Sequence, residues 1–109
     1  NQVKVVEFLL SKGVDVNADS PEGTALIGSC YKGNIEIAKL LLEHKATINA
    51  QNEQGTTPLI FAVQGNNVSL VSLLVTSGAN KEMKEKSGRT AMDYAKEKQN
   101  QEILDILSK

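Results

Sequence analysis

The chain has 109 residues and a formal net charge of −1, which suits one domain and leaves no basic footprint for nucleic acid. Its apolar runs are too short to cross a bilayer, nothing at its start reads as a signal peptide, and a single cysteine cannot form an internal disulfide, which fits a reducing compartment. Aromatic residues make up only 4% of the chain, so Leu, Ile, Val and Ala must fill the interior, a supply suited to short, closely packed helices.

In chain order, Val3-Lys4-Val5-Val6-Glu7-Phe8-Leu9-Leu10 predicts a helix ending at Gly13, a residue free to adopt the left-handed conformation. Val14-Asp15-Val16-Asn17-Ala18 then leads into a loop. A helix beginning at Thr24-Ala25-Leu26 carries Gly28 inside it, at a cost of about 1 kcal/mol relative to Ala. Ile35 to Leu42 form the next helix, and Lys45 stands where Gly13 and Gly78 stand elsewhere. Either Lys45 takes a positive φ or the helix ends differently there. Gly28 and Lys45 together make the segment around 20–51 the least stable expected part of the chain.

The next segment is the most regular. Gly55 supplies backbone freedom for a tight loop, Thr57 suits the N-cap, and Pro58 suits the first helical position. Leu59, Ala62 and Val63 then share one face. Val68 to Val75 follow as a second helix. In the loop beyond it, Lys81 replaces a small apolar residue, and its aliphatic stem can cover apolar surface while its ammonium stays wet. A last pair of helices begins at Thr90-Ala91-Met92 and at Gln101.

Thr24-Ala25-Leu26, Thr57-Pro58-Leu59 and Thr90-Ala91-Met92 lie 33 residues apart, and Ile35–Leu42, Val68–Val75 and Gln101–Ser108 keep the same spacing. That period with a T-P-L opening resembles the ankyrin repeat family over essentially the whole chain. The resemblance implies an all-α solenoid of stacked helix-turn-helix units joined by β-hairpin-like loops. Residues 1–19 would be a partial repeat with its second helix only, 20–51 and 52–84 complete repeats, and 85–109 a C-terminal capping repeat. The cap is read from one stripe of the second helices: Val3 and Leu10, Ile35 and Leu42, and Val68 and Val75 are apolar, whereas Gln101 and Ser108 are polar. A terminal repeat needs a solvated outer face. The missing first helix at the start suggests an excerpt lacking upstream repeats. The first loop is one residue shorter than its counterpart, since Leu10 to Thr24 is 14 positions and Leu42 to Thr57 is 15.

Candidate chemistry is sparse. His44 is the single histidine, so there is no metal-ligand cluster. Cys30 takes a small-residue position with no base beside it, which reads as a buried, inert thiol. Asp19, Glu22 and Glu53 fall on loop tips, where nothing excludes water or raises a carboxyl pKa. Gly65 and Gly88 belong to no phosphate-cradling pattern. No catalytic constellation, cofactor or metal is expected.

The resemblance implies instead a monomeric scaffold that binds another protein through loop tips and the concave face of its first helices. Transferred onto this register, the family's variable positions are Asp19 and Glu22 at the first tip, Gln51, Glu53, Gln54 and Thr56 at the second, and Lys84, Lys86 and Arg89 at the third. Tyr31, Lys32, Gln64, Glu97 and Lys98 are the corresponding positions on the concave face. The first tip is acidic and the third net basic, so the expected partner is basic where it meets the first and acidic where it meets the third. Tyr31, the one aromatic assigned to that face, is the expected hot spot. The alternative is a regulatory or targeting segment of a larger multidomain enzyme. Asn17 and Asn49 also resemble the family's substrate pattern for asparaginyl hydroxylases, against a purely local backbone role. The expected location is intracellular, cytoplasmic or nuclear.

Overall fold

Threonine and asparagine side chains decide where the helices begin. The computed structural model describes residues 2–13 and 15–109; Asn1, counted above in the partial repeat 1–19, and Val14, read above as leading into the first loop, lie outside them. Among the described residues there are seven helices and no strand: α1 (Gln2–Ser11), α2 (Ala25–Lys32), α3 (Ile35–Glu43), α4 (Pro58–Gln64), α5 (Val68–Thr76), α6 (Ala91–Lys98) and α7 (Gln101–Ser108). Thr24, Thr57 and Thr90 cap α2, α4 and α6, their hydroxyls accepting from the N–H groups of Ile27, Ile60 and Asp93. Asn34, Asn67 and Asn100 cap α3, α5 and α7, with Asn34 and Asn67 each accepting at 3.1 Å from Ile37 and Leu70. Each cap satisfies an amide that the first helical turn leaves without a partner. Asp93 completes a capping box by accepting from the Thr90 N–H at 2.9 Å. That backbone bond, first among the causes, holds its carboxyl below the usual carboxylate range.

Helices of 7 to 10 residues are marginal alone, so packing must hold them. α2, α4 and α6 stack in one row and α1, α3, α5 and α7 in a second, and each first helix packs on the second helix that follows it. The result is an elongated body of 41 × 25 × 21 Å. Leu26, Cys30, Leu41, Leu59, Val63, Leu70 and Leu74 fill the space between rows, with Ala38, Ala62 and Ala95 wholly buried where helices approach closely. Each large aliphatic side chain there contributes about 1.5–3 kcal/mol relative to exposure. Leu59, Ala62 and Val63 are all buried, as their spacing on one helical face requires.

Two irregular positions resolve clearly. Lys45 takes φ +72°, joining Gly13 at +79° and Gly78 at +98°. Gly28 lies within α2, and an added Cβ would meet nothing within 4 Å. Lys81 is half-buried, with its ammonium donating to the Lys109 carbonyl.

The end helices differ from the middle ones. On α1, Val5 and Phe8 are 57% and 60% exposed, whereas Leu70 and Ile103, in register with Val5, are fully buried. α1 packs on α3, and no helix precedes it among the described residues. On α7, Ile103 and Leu107 are buried while Gln101, Asp105 and Ser108 face water, the Gln101 amide donating to Asp105 at 2.8 Å.

Candidate protein-binding surface

The loop tips are tight turns built on glycine. The Gly55 N–H donates to the Asn52 carbonyl at 2.9 Å and the Asn52 N–H to the Thr56 carbonyl at 3.1 Å, closing the turn as a hairpin closes. Gly88 and Glu85 repeat the pattern, with Glu85 donating to the Arg89 carbonyl. Gly55 is required twice over: its φ is +82°, and a Cβ there would stand 3.1 Å from the Lys86 nitrogen. In the first tip Gly23 donates to the Ser20 carbonyl at 2.9 Å. Thr56 and Arg89 stand between that glycine and the N-cap threonine, and the first loop has no such residue because Gly23 abuts Thr24. The shortened loop is therefore short at one identifiable position.

Neighbouring tips are joined through their main chains. The Glu53 N–H donates to the Pro21 carbonyl at 3.1 Å, and the Lys86 N–H to the Gln54 carbonyl at 3.0 Å. Side-chain amides add further ties. Gln51 donates to the Gly55 and Lys84 carbonyls at 2.9 and 3.2 Å. Asn17 accepts from the Thr47 N–H at 2.7 Å, and Asn49 accepts from the Asn80 N–H at 2.8 Å. Each carboxamide thus spans from its own loop to the next, a structural role that local backbone bonding alone does not describe.

The residues singled out by sequence divide by what holds them. Asp19, Glu22, Lys32, Glu53, Gln54, Lys84, Lys86, Glu97 and Lys98 are exposed, as is Gln51 despite its two bonds, while Gln64 is half-buried. Tyr31 is 68% exposed, with its ring edge-on to Phe61 at 5.4 Å and 75°. Thr56 is only 4% exposed, and its hydroxyl donates to the Glu85 carboxylate at 2.5 Å, so it serves the joint between tips and offers no surface. Arg89 is half-buried and paired with Glu97, and its guanidinium lies 4.3 Å from the Tyr94 ring centroid. The basic character of the third tip therefore rests on Lys84 and Lys86.

Cys30 is 3% exposed, and burial, only partly offset by a hydrogen bond with Ser29, pushes its thiol up to about 12. A thiol so protonated is no nucleophile at neutral pH. Among the described residues no group of His, Cys, Asp and Glu could hold a metal ion, and no helix is long and apolar enough to cross a membrane. A cavity of about 720 Å³ lies on the second-helix side, over Leu42, Ala46, Ile48 and Leu73. Its polar lining is Lys39, Glu43, Lys45 and Ser77 around that apolar floor.

A family model described as "Ankyrin repeats (many copies)" matches residues 25–75. BCL-6 corepressor-like protein 1 of Homo sapiens is 39% identical over 93 residues, covering 84% of this chain and 5% of that protein. The Nuclear factor NF-kappa-B p105 subunit of Gallus gallus is 34% identical over 111 residues, 97% of this chain and 11% of the relative. Putative ankyrin repeat protein YahD of Escherichia coli (strain K12) is 34% identical over 91 residues, 78% of this chain and 45% of the relative. The chain belongs to the ankyrin repeat family.

It spans less than half the length of each of these relatives. Ankyrin repeats are protein–protein interaction modules, and ankyrin repeat proteins are generally non-enzymatic scaffolds. Within this ankyrin array the first-helix face holds more aromatic surface than Tyr31 alone. Phe61 and Tyr94, 33 residues apart, both lie half-buried on it, and Gly28 occupies the same register in α2. Counting the period from Phe61 in both directions finds that column directly.

Proposed function

We propose that this ankyrin array binds a partner protein through its loop tips and the face of its first helices. The observation that carries the reading is the separation of duties at the tips: main-chain bonds from Glu53 to Pro21 and from Lys86 to Gln54 fix the loops, leaving the side chains of Glu22, Glu53, Lys84 and Lys86 exposed and free to make contacts. A rigid frame with variable exposed tips suits recognition. Asp19 and Glu22 favour a basic element of the partner at the first tip, and Lys84 and Lys86 an acidic one at the third. This polarity sets orientation and on-rate more than affinity. The free, buried cysteine supports an intracellular site of action, in the cytoplasm or the nucleus.

The test begins with a partner captured on the array and then purified. The double charge reversal Lys84→Glu, Lys86→Glu should weaken its binding by about tenfold and flatten the salt dependence, taking each exposed charge as worth up to about 1 kcal/mol. An unchanged dissociation constant and salt slope refute the polarity. A second reading, a regulatory or targeting segment of a larger multidomain enzyme, is favoured by the small share of each relative that the chain covers. The full open reading frame decides it.

A further inference from the structure

The third repeat shows how this scaffold holds a guanidinium. Arg89 lies over the Tyr94 ring and pairs with Glu97, so one aromatic face and one carboxylate share the cation. In the first repeat the same ground is laid out differently. Gly28 stands in the register of Tyr94, and the residue corresponding to Arg89 is the one its loop lacks. Beside Gly28 a notch of about 300 Å³ opens, lined by Gly28, Ile27, Tyr31 and Phe61 and by the polar residues Glu22, Asn52 and Gln54. Tyr31 and Phe61 supply two rings set edge to face. Glu22 supplies the carboxylate; Ser20 donates a hydroxyl to it at 3.1 Å, and no salt bridge to Glu22 is found among the described residues.

We propose that this notch receives an arginine side chain of the protein partner, its guanidinium against Tyr31 and Phe61 and paired with Glu22. The inference rests on the reading of this surface as a protein-binding face and adds the chemistry of its first contact. Charge complementarity and the internal Arg89 arrangement both point to a cation. Arginine fits better than lysine because a planar guanidinium stacks on rings and meets a carboxylate with two parallel N–H groups. The volume lies at the small end of ligand sites, about 300–1,000 Å³, which suits a single side chain and not a cofactor. Lys32 sits 6.0 Å from the Tyr31 centroid but does not line the notch. In the middle repeat Gln54, a neutral amide, takes the place of Glu22 before the tip glycine, and Thr56 is committed to Glu85.

The experiment is an NMR titration of the whole chain with acetyl-Gly-Arg-Gly-amide, beside the lysine and citrulline versions of the peptide. The arginine peptide should give saturable shifts at Gly28, Tyr31 and Phe61 at millimolar concentration, with the lysine peptide weaker and the uncharged citrulline peptide without effect. Glu22→Gln should weaken the arginine peptide by about tenfold, the scale of one charged hydrogen-bonded contact. Gly28→Phe should abolish its binding by filling the notch. Should Gly28→Phe misfold by circular dichroism, Glu22→Gln, on an exposed loop, decides alone. Absence of saturable shifts, equal response to citrulline or lysine, or an unchanged affinity in Glu22→Gln overturns the assignment. The broader protein-binding reading stands or falls separately, on the Lys84 and Lys86 reversals at the opposite tip.

Discussion

The hydroxyl of Thr56 donates to the carboxylate of Glu85, 29 residues further along the chain, at 2.5 Å. The same carboxylate accepts from the phenol of Tyr94. One half-buried glutamate therefore ties the second tip to the third and to the first helix behind it. This hydrogen bond, ahead of burial and the glutamate's charge, raises the Tyr94 phenol above its ordinary value. Since the folded pKa exceeds the unfolded one, the contribution to stability is present below pH 10 and is lost as pH rises beyond that value.

Replacing Glu85 by Gln should lower the Tyr94 pKa towards its ordinary value and cost about 1–2 kcal/mol of stability, as expected for weakening two charge-assisted bonds at a half-exposed site. The chain has two tyrosines, so a spectrophotometric titration in a Tyr31→Phe background reports Tyr94 alone. An identical titration curve with and without Glu85 counts against the tie.

Gly28 and Gly55 should respond oppositely to alanine. Gly28 is in a helix with open space around its would-be Cβ, so Gly28→Ala gains helix propensity, about 1 kcal/mol, and raises the melting temperature by about 5 °C. At Gly55, alanine meets both a positive φ of +82° and the main chain of Lys86 and Glu85 within 3.2 Å. That substitution should cost about 2 kcal/mol or more. Thermal unfolding of the two variants beside the parent checks the signs.

Lys45 holds a left-handed conformation that costs a side-chain-bearing residue about 1–2 kcal/mol. Lys45→Gly removes that cost but adds unfolded-chain entropy worth about 0.4–1 kcal/mol. The net expectation is a gain of about 0.5–1 kcal/mol, read by urea titration at unchanged m-value.

Cys30 should resist iodoacetamide in the native chain at neutral pH and react fully once unfolded. With its folded thiol at about 12 and the ordinary value at 9.0, the unfolded chain loses its proton first. Stability is unaffected below pH 9 and falls as pH rises from there. Cys30→Ala should show a shallower alkaline decline than the parent, a difference that cancels the titration of groups common to both.

The helices and their stacking were legible because their causes are local. Thr57 caps and Pro58 starts α4 through bonds within one turn, and the burial of Leu59, Ala62 and Val63 follows from helical spacing. Asn34, Asn67 and Asn100 follow the same 33-residue period as the threonines and carry the same signal for the second helices. The surface was less legible. Thr56 is polar and sits at a tip, but the partner that draws it inward comes 29 residues later. Arg89 reads as a free cation until Glu97 and Tyr94 are placed beside it. Phe61 lies off the face shared by Leu59, Ala62 and Val63, and only the fold sets its half-buried ring against Tyr31. Burial of a polar side chain depends on contacts across the repeat, which a pattern within one repeat does not contain.

The joints from Lys86 to Gln54 and from Glu53 to Pro21 use only peptide groups, so they are indifferent to what each tip carries. Rewriting the chemistry of Glu22, Glu53 or Lys86 leaves the pitch of the comb unaltered. New specificities can thus be tried by exchanging single teeth, and a fault in one contact does not shift its neighbours out of step.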